Sequence, residues 1–320
     1  MQRFKSILVI AEEASWTDAV AERAAWLARS NGATLTLADV VDDDRGEFAR
    51  LLGALSRTRA DAVQAEVSQA RAARLDALAD TLRAKGAAVE TLTLTGTSFL
   101  SIIRQVLRAG HDLVLKGAHK GPDRPALRAQ DLHLLRKCPC PVWILNGVGE
   151  AKSRHILAAV DPDPTDPVRD ALGQMVMELA TSLAERDDAR LDVLNAWHVQ
   201  EEGTLRHSMI NVPEQEIAAI LRREQTQSRA RLDALVDRFT QFANRMRVLH
   251  LKGNAADVVP DHVTSEAVDT LVMGTVGRTG ISGLFIGNTA ETVLNRVDCS
   301  VLAVKPRGFV SPVTLEDDSA

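Results

Sequence analysis

The sequence has no tyrosine, and its four tryptophans and seven phenylalanines make aromatics only 3% of 320 residues. Single-stranded nucleic acid is held on stacking aromatics above a basic groove; a formal charge of −5 supplies neither. Three cysteines leave one unpaired in any scheme, which argues against a disulfide framework and for a reducing compartment. No apolar run approaches the ~20 residues that span a bilayer. The opening MQRFKSILVIAEEA puts Glu12 and Glu13 directly after a strand-length apolar run and carries no secretory h-region or cleavage site. A cytoplasmic location is therefore expected. Also missing are a Gly-x-Ser-x-Gly elbow, a His-Glu-x-x-His pair and a Gly-Lys-Ser/Thr after any glycine loop, so serine hydrolase, zincin and P-loop chemistry have no carrier. What is present is a globular composition, 45% hydrophobic and 25% charged, long enough for two domains of about 150 residues each.

The chain repeats itself. Lys5-Ser6-Ile7-Leu8 answers to Arg154-His155-Ile156-Leu157, and Asp112-Leu113-Val114-Leu115-Lys116-Gly117 to Asp269-Thr270-Leu271-Val272-Met273-Gly274. Leu134-Leu135-Arg136-Lys137 before Cys140-Pro141-Val142 answers to Val293-Leu294-Asn295-Arg296 before Cys299-Ser300-Val301. The link at 147–150 is polar and glycine-containing, which sets domains at 1–148 and 151–308 with an acidic tail, expected to be disordered, at 309–320. Strands are expected at 7–11, 34–40, 89–94, 112–116 and 142–145, with helices at 17–30, 58–85, 98–109 and 132–137. The second half predicts strands at 156–160, 191–197, 247–251, 271–273 and 301–304, with helices at 167–183, 214–242 and 256–266. Strands alternating with helices argue for parallel sheets with right-handed crossovers. The expected class is α/β, two tandem doubly wound five-stranded parallel-sheet domains.

The stretch 270–305 carries the chemistry. A short apolar strand runs into Gly274 and Gly277, Gly280, Gly283 and Gly287 follow, and Asn288 or Thr289 is placed to cap a helix. A helix N-terminus beneath a glycine-rich loop offers donors, a favourable dipole and close backbone approach, so the stretch reads as an anion cradle. An ordinary turn is the alternative.

The spacing decides between them. Gly274 and Gly277, three apart, followed ten residues later by Gly287 and a small polar residue, resemble the ATP-binding pattern of the universal stress protein family; Asn288 stands at the family's hydroxyl position and Thr289 follows it. The resemblance covers nearly the whole chain and extends to tandem members. It implies Rossmann-like domains associated through their last strands, 142–145 with 301–304, as an internal pseudo-dimer, with a homodimer of the tandem chain as an open addition. It implies ATP or a related adenine nucleotide, with or without magnesium, in the second domain. Asp161 would meet the adenosine, Ala196 and Met273 would line the adenine slot, and Gly253 would pass close to the nucleotide. Gly274, Gly277, Gly287, Asn288 and Thr289 would hold phosphates, with Arg278 adding charge. Asp161 also fits an Asx turn before Pro162.

In the first half Lys120 replaces Gly277, and Arg128 and Ala129 fall where Gly287 and Asn288 stand, so no nucleotide is expected there. Lys116, His119 and Lys120 form a polar cluster that fits an anion or, with Cys138 and Cys140, a metal; a turn with small packed thiols is the simpler reading. The function expected is a non-enzymatic, nucleotide-dependent regulator or interaction module of the stress response, with protein partners and slow ATP hydrolysis or autophosphorylation left open. The alternative is a scaffold or carrier of an apolar ligand between the domains, walled by the long helices at 58–85 and 214–242. A nucleotidyl transferase would need a His-x-Gly-His signature that neither first-strand loop has.

Overall fold

A computed structural model of the chain describes residues 3–41, 57–118, 127, 129–146, 152–207, 212–275 and 287–315. They fall into two compact units, one holding the described residues up to 152 together with 309–315, the other those from 153 to 308. In the first, strands β1 (Ser6–Ile10), β2 (Thr34–Val41), β3 (Ala88–Thr95), β4 (Leu113–Gly117) and β5 (Val142–Leu145) alternate with helices α1 (Asp18–Asn31), α2 (Arg57–Ala84), α3 (Ser98–Ala109) and α4 (Ala129–Lys137). The second unit has β6 (His155–Ala159), α5 (Pro167–Asp187), β7 (Arg190–Trp197), a short α6 (Glu202–His207), α7 (Glu214–Val236) and a 3-10 turn (Asp237–Arg245). It continues with β8 (Met246–Lys252), α8 (Ala255–Ser265), β9 (Thr270–Gly274), α9 (Asn288–Arg296) and β10 (Ser300–Val304).

Strand order is β3-β2-β1-β4-β5 in the first unit and β8-β7-β6-β9-β10 in the second, with every pairing inside each unit parallel. The central strands are the apolar runs the sequence shows: Ile7–Ile10, Leu113–Leu115, Ile156–Ala158 and Leu271–Val272 have no exposed surface. The same device sets the register of the central pair in each unit. Asp112 accepts the backbone N–H groups of Lys5 and Ser6 at 2.6 and 3.1 Å, and Asp269 those of Arg154 and His155 at 2.7 Å each. Each aspartate thus satisfies donors at the start of the first strand from the turn before the fourth.

Pro260 lies inside α8, where it cannot donate to the carbonyl of Ala256. Arg296 of α9 supplies the missing bond, reaching Ala256 O at 2.8 Å and the carboxylates of Asp257 and Asp261 at 2.6 and 3.1 Å. The helix break thereby becomes the point where α8 and α9 are joined.

Two elements differ from expectation. The helix expected over 214–242 ends at Val236, and the chain continues as the 3-10 turn with Phe239 at φ −125°, ψ 30°, which turns its ring into the core. The tail expected to be disordered is seated as far as it is described: Ser311 Oγ donates to Lys137 O at 2.7 Å, Arg104 Nε to Thr314 O at 3.4 Å, and Val313 is buried. The acidic residues Glu316, Asp317 and Asp318 lie outside the described residues.

At the amino edge of the second sheet, the buried Asp192 of β7 receives Arg247 through bonds of 3.0 and 2.5 Å, with His262 Nε2 at 2.9 Å and His155 Nε2 at 3.0 Å. Burial alone raises a carboxyl pKa; these donors outweigh it and hold Asp192 far below the usual carboxylate range. A carboxyl depressed by folding contributes stability that is complete above its unfolded value of about 4 and is lost as the pH drops below it. Denaturant titrations at stepped pH should show stability falling below about pH 4. Asp192→Asn should flatten that slope and cost about 2–4 kcal/mol at neutral pH, less than a fully buried pair because Arg247 reaches solvent.

Candidate functional site

In open parallel sheets ligands bind beyond the carboxyl ends of the strands, where the strand order reverses. In the second unit that point lies between β6 and β9. The loop after β6 is an acid-rich turn, Asp161-Pro162-Asp163-Pro164-Thr165-Asp166. Asp166 caps α5, accepting from Val168 N at 2.9 Å and Arg169 N at 3.3 Å, with Pro167 in the first turn. Asp163 makes an Asx turn, accepting from Thr165 N at 3.1 Å and Thr165 Oγ1 at 2.7 Å. The Thr165 hydroxyl is the main reason Asp163 is held below the ordinary carboxylate range. Asp161 itself is half exposed and pairs with Arg169 Nη2 at 2.7 Å, while Nη1 of the same guanidinium binds Asp163 at 2.5 Å.

The next two strands close the other side. Ala196 is partly buried near the end of β7, and Trp197 stacks on His250 with centroids 5.7 Å apart. Beneath them runs a polar chain: Asn195 Nδ2 donates to Val160 O at 2.9 Å, Ser228 Oγ to Asn195 Oδ1 at 3.0 Å, and His250 Nε2 lies 3.1 Å from Ser228 Oγ. Burial, and then Arg229 nearby, lower the His250 pKa, so the ring is neutral at pH 7. Gly253 donates to Trp197 O at 2.9 Å with φ +147°, and a Cβ there would stand 2.6 Å from Val258 Cγ2. Only glycine serves both demands. Asn254 then caps α8 through Ala256 N at 3.0 Å.

At the end of β9, Met273 is buried, and a Cβ on Gly274 would stand 2.7 Å from Leu172 Cδ2. Thr275 O accepts Gly287 N at 3.1 Å, and Lys305, also buried, donates its ammonium to the Thr275 hydroxyl. This places the start of α9 beside the strand end. Asn288 and Thr289, expected as caps, instead form the first two residues of the helix, and Gly287 is the N-cap residue. Gly277 and Arg278 lie outside the described residues. Asp161, Ala196, Gly253, Met273, Gly274, Gly287, Asn288 and Thr289 therefore share one sheet edge. Arg169, Asn195, Ser228, His250, Thr275 and Lys305 join them unannounced; only the third-position arginine after a Pro-led helix start, two acidic positions upstream, was readable as a partner for Asp161.

The same edge of the first unit is built differently. Glu12, two residues past β1 as Asp161 is past β6, lies 3.0 Å from Lys116 Nζ, and Asp131 of α4 lies 2.8 Å from it. Lys116 and Asp131 are fully enclosed, and Ser98 Oγ reaches Glu12 at 3.1 Å. Burial disfavours the ammonium, but the two carboxylates outweigh it and raise the Lys116 pKa. At the position of Asn195 stands Asp39, with Arg71 and Arg74 at 3.6 and 3.9 Å. A Cβ on Gly117 would lie 1.9 Å from Ser15 O, so the β1 loop sits directly on the end of β4. Lys116 is thus engaged by two carboxylates; His119 and Lys120, expected to form a polar cluster with it, lie outside the described residues. Cys138 and Cys140 are buried with their sulfurs 3.6 Å apart.

Two doubly wound units of the same strand order, the first with Lys116 enclosed by Glu12 and Asp131 at its switch point and the second with Met273 and Gly274 there, define a tandem α/β protein. The model of the universal stress protein family matches residues 3–146 and 152–305, and the chain belongs to that family. It is 34% identical to universal stress protein E of Escherichia coli (strain K12) over 223 residues, 69% of each chain. The universal stress protein E of Photorhabdus laumondii is 25% identical across 98% of both. A solved structure of a universal stress protein candidate from Pseudomonas aeruginosa UCBPP-PA14 superposes with a TM-score of 0.69 at 26% identity, covering 95% of this chain and 94% of that one. Among the described residues no helix is long and apolar enough to cross a membrane.

Lys116→Met, which installs the second unit's residue in the first, leaves Glu12 and Asp131 without their shared cation. It should destabilise the first unit by about 3–5 kcal/mol in guanidinium unfolding. Gly253→Ala should cost about 1–3 kcal/mol for its backbone strain alone.

Proposed function

We propose that the second unit binds ATP or a related adenine nucleotide at the carboxyl edge of β6 and β9, and that occupancy alters the protein's interactions with partners during the stress response. The carrying observation is the difference between the two units at equivalent positions. Where the first has Lys116 and Asp131 locked together, the second has Met273 and Ala290, and its next described helix is capped by Gly287, a residue with no side chain. The glycine pattern of Gly274, Gly277 and Gly287 supports phosphate at that helix start; Met273 and Ala196 support an apolar, flat base beside it. Arg278 adds charge from the same loop.

The reading assigns no catalytic step. Asp161 and Asp163 are both engaged by Arg169, so ATP is proposed without a protein-bound magnesium site, the metal entering with the nucleotide if at all. The protein acts by binding, in the cytoplasm.

Calorimetric titration of ATP into protein first stripped of bound nucleotide should show one site, and Gly277→Lys, the residue at position 120 of the first half, should abolish it. Absence of binding in stripped wild-type protein overturns the reading. An acyl-chain species found in an organic extract without nucleotide would put the carrier alternative in its place.

A further inference from the structure

The two units neutralise the carboxylate after their first strand from opposite sides. In the first unit the cation is Lys116, the next-to-last residue of β4, and the third residue of α1 is the buried Val20. The second unit inverts both choices: the next-to-last residue of β9 is Met273, and the third residue of α5 is Arg169, bound to Asp161 and Asp163. A lysine at the strand end projects into the switch point and fills it. An arginine on the helix makes the same charge pair from outside and leaves the strand end apolar.

We infer that Arg169 is the positioning residue of the candidate nucleotide site, holding Asp161 oriented toward ribose hydroxyls and cancelling the acid-rich turn's charge so that a phosphorylated ribonucleoside is accepted. The inference rests on the nucleotide reading above. Its chemistry follows from the turn: Asp161 directly follows β6 at the switch point, where ligands of such sheets bind, and a carboxylate there can accept hydrogen bonds from both hydroxyls of a vicinal diol. Asp161, Asp163 and Asp166 lie within one short turn, and unneutralised carboxylates at a few ångströms repel a triphosphate by several kcal/mol in a partly desolvated crevice. The guanidinium is fixed by two carboxylates at 2.7 and 2.5 Å, with Thr165 holding Asp163 in turn, so the Asp161 rotamer is set before any ligand arrives.

The test compares ATP with 2′,3′-dideoxy-ATP by calorimetry in wild type, Arg169→Gln and Arg169→Lys, with thermal melts of each. Wild type should prefer ATP. Arg169→Gln should lose about tenfold in ATP affinity, the value of one charge-assisted hydrogen bond, and its preference over the dideoxy analogue should shrink with it; Arg169→Lys should recover part of both. A purely structural arginine would weaken the two ligands equally and lower the melting temperature, and that pattern overturns the inference, as does full preference retained in Arg169→Gln. The double variant Arg169→Val with Met273→Lys carries the first unit's arrangement into the second and should bind no ATP while still melting cooperatively; wild-type binding by it overturns the inference. If wild type binds no ATP, the nucleotide reading falls and this falls with it. If wild type binds both ligands equally, the site stands and the role given to Arg169 and Asp161 does not.

Discussion

One carboxylate per unit fixes where everything else can stand. Asp112 and Asp269 each take two backbone N–H groups from the start of the first strand, and their own backbone N–H groups donate across to Ser6 O and His155 O. This locks the first and fourth strands in register, and those are the strands between which the order reverses. Slip by one residue would turn every side chain of a strand to the opposite face. With the register fixed, the residues at the strand ends, Glu12 and Lys116 in one unit and Asp161 and Met273 in the other, are brought into facing positions whatever their chemistry.

That chemistry has diverged while the scaffold has not. The first unit uses its switch point as a core: an ammonium enclosed by two carboxylates, a loop carbonyl pressed on Gly117, and a further aspartate with two arginines. Such an ion cluster is held together tightly because removing any partner strands a buried charge. At the same point in the second unit the charges of Asp161 and Asp163 are paired with Arg169 of α5, and the strand ends on the apolar Met273. Arg296, filling the bond that Pro260 cannot make, ties the helix after Gly253 to the helix after Gly287.

Much of this was legible in the sequence. The repeat, the strand sequence and the glycine spacing place eight of the ten expected site residues on one edge, because apolar runs of strand length and glycines are short-range signals. The rest depends on contacts that spacing does not encode. The Asx turn at Asp163 depends on Thr165, and the pairing of Asp161 and Asp163 on an arginine six to eight residues downstream. Gly287 rather than Asn288 is the N-cap residue of α9, with its N–H bound to the carbonyl of Thr275. α7 ends at Val236, and the non-helical backbone at Phe239 goes with the burial of its ring, a contact made outside the helix. The segment 309–315 is seated by Lys137 and Arg104, far away in sequence, which a compositional reading of an acidic end could not foresee. Lys116 was visible as a polar residue in an apolar strand; the partners that explain it, Glu12 and Asp131, were not.

The central claim is that one unit of this tandem is filled from within and the other from solution. Native mass spectrometry of the intact chain, stripped and then equilibrated with ATP, counts this directly. The account predicts a single nucleotide per chain, retained in Lys116→Met and lost in Gly277→Lys. Two nucleotides per chain, or one that survives Gly277→Lys, would contradict it.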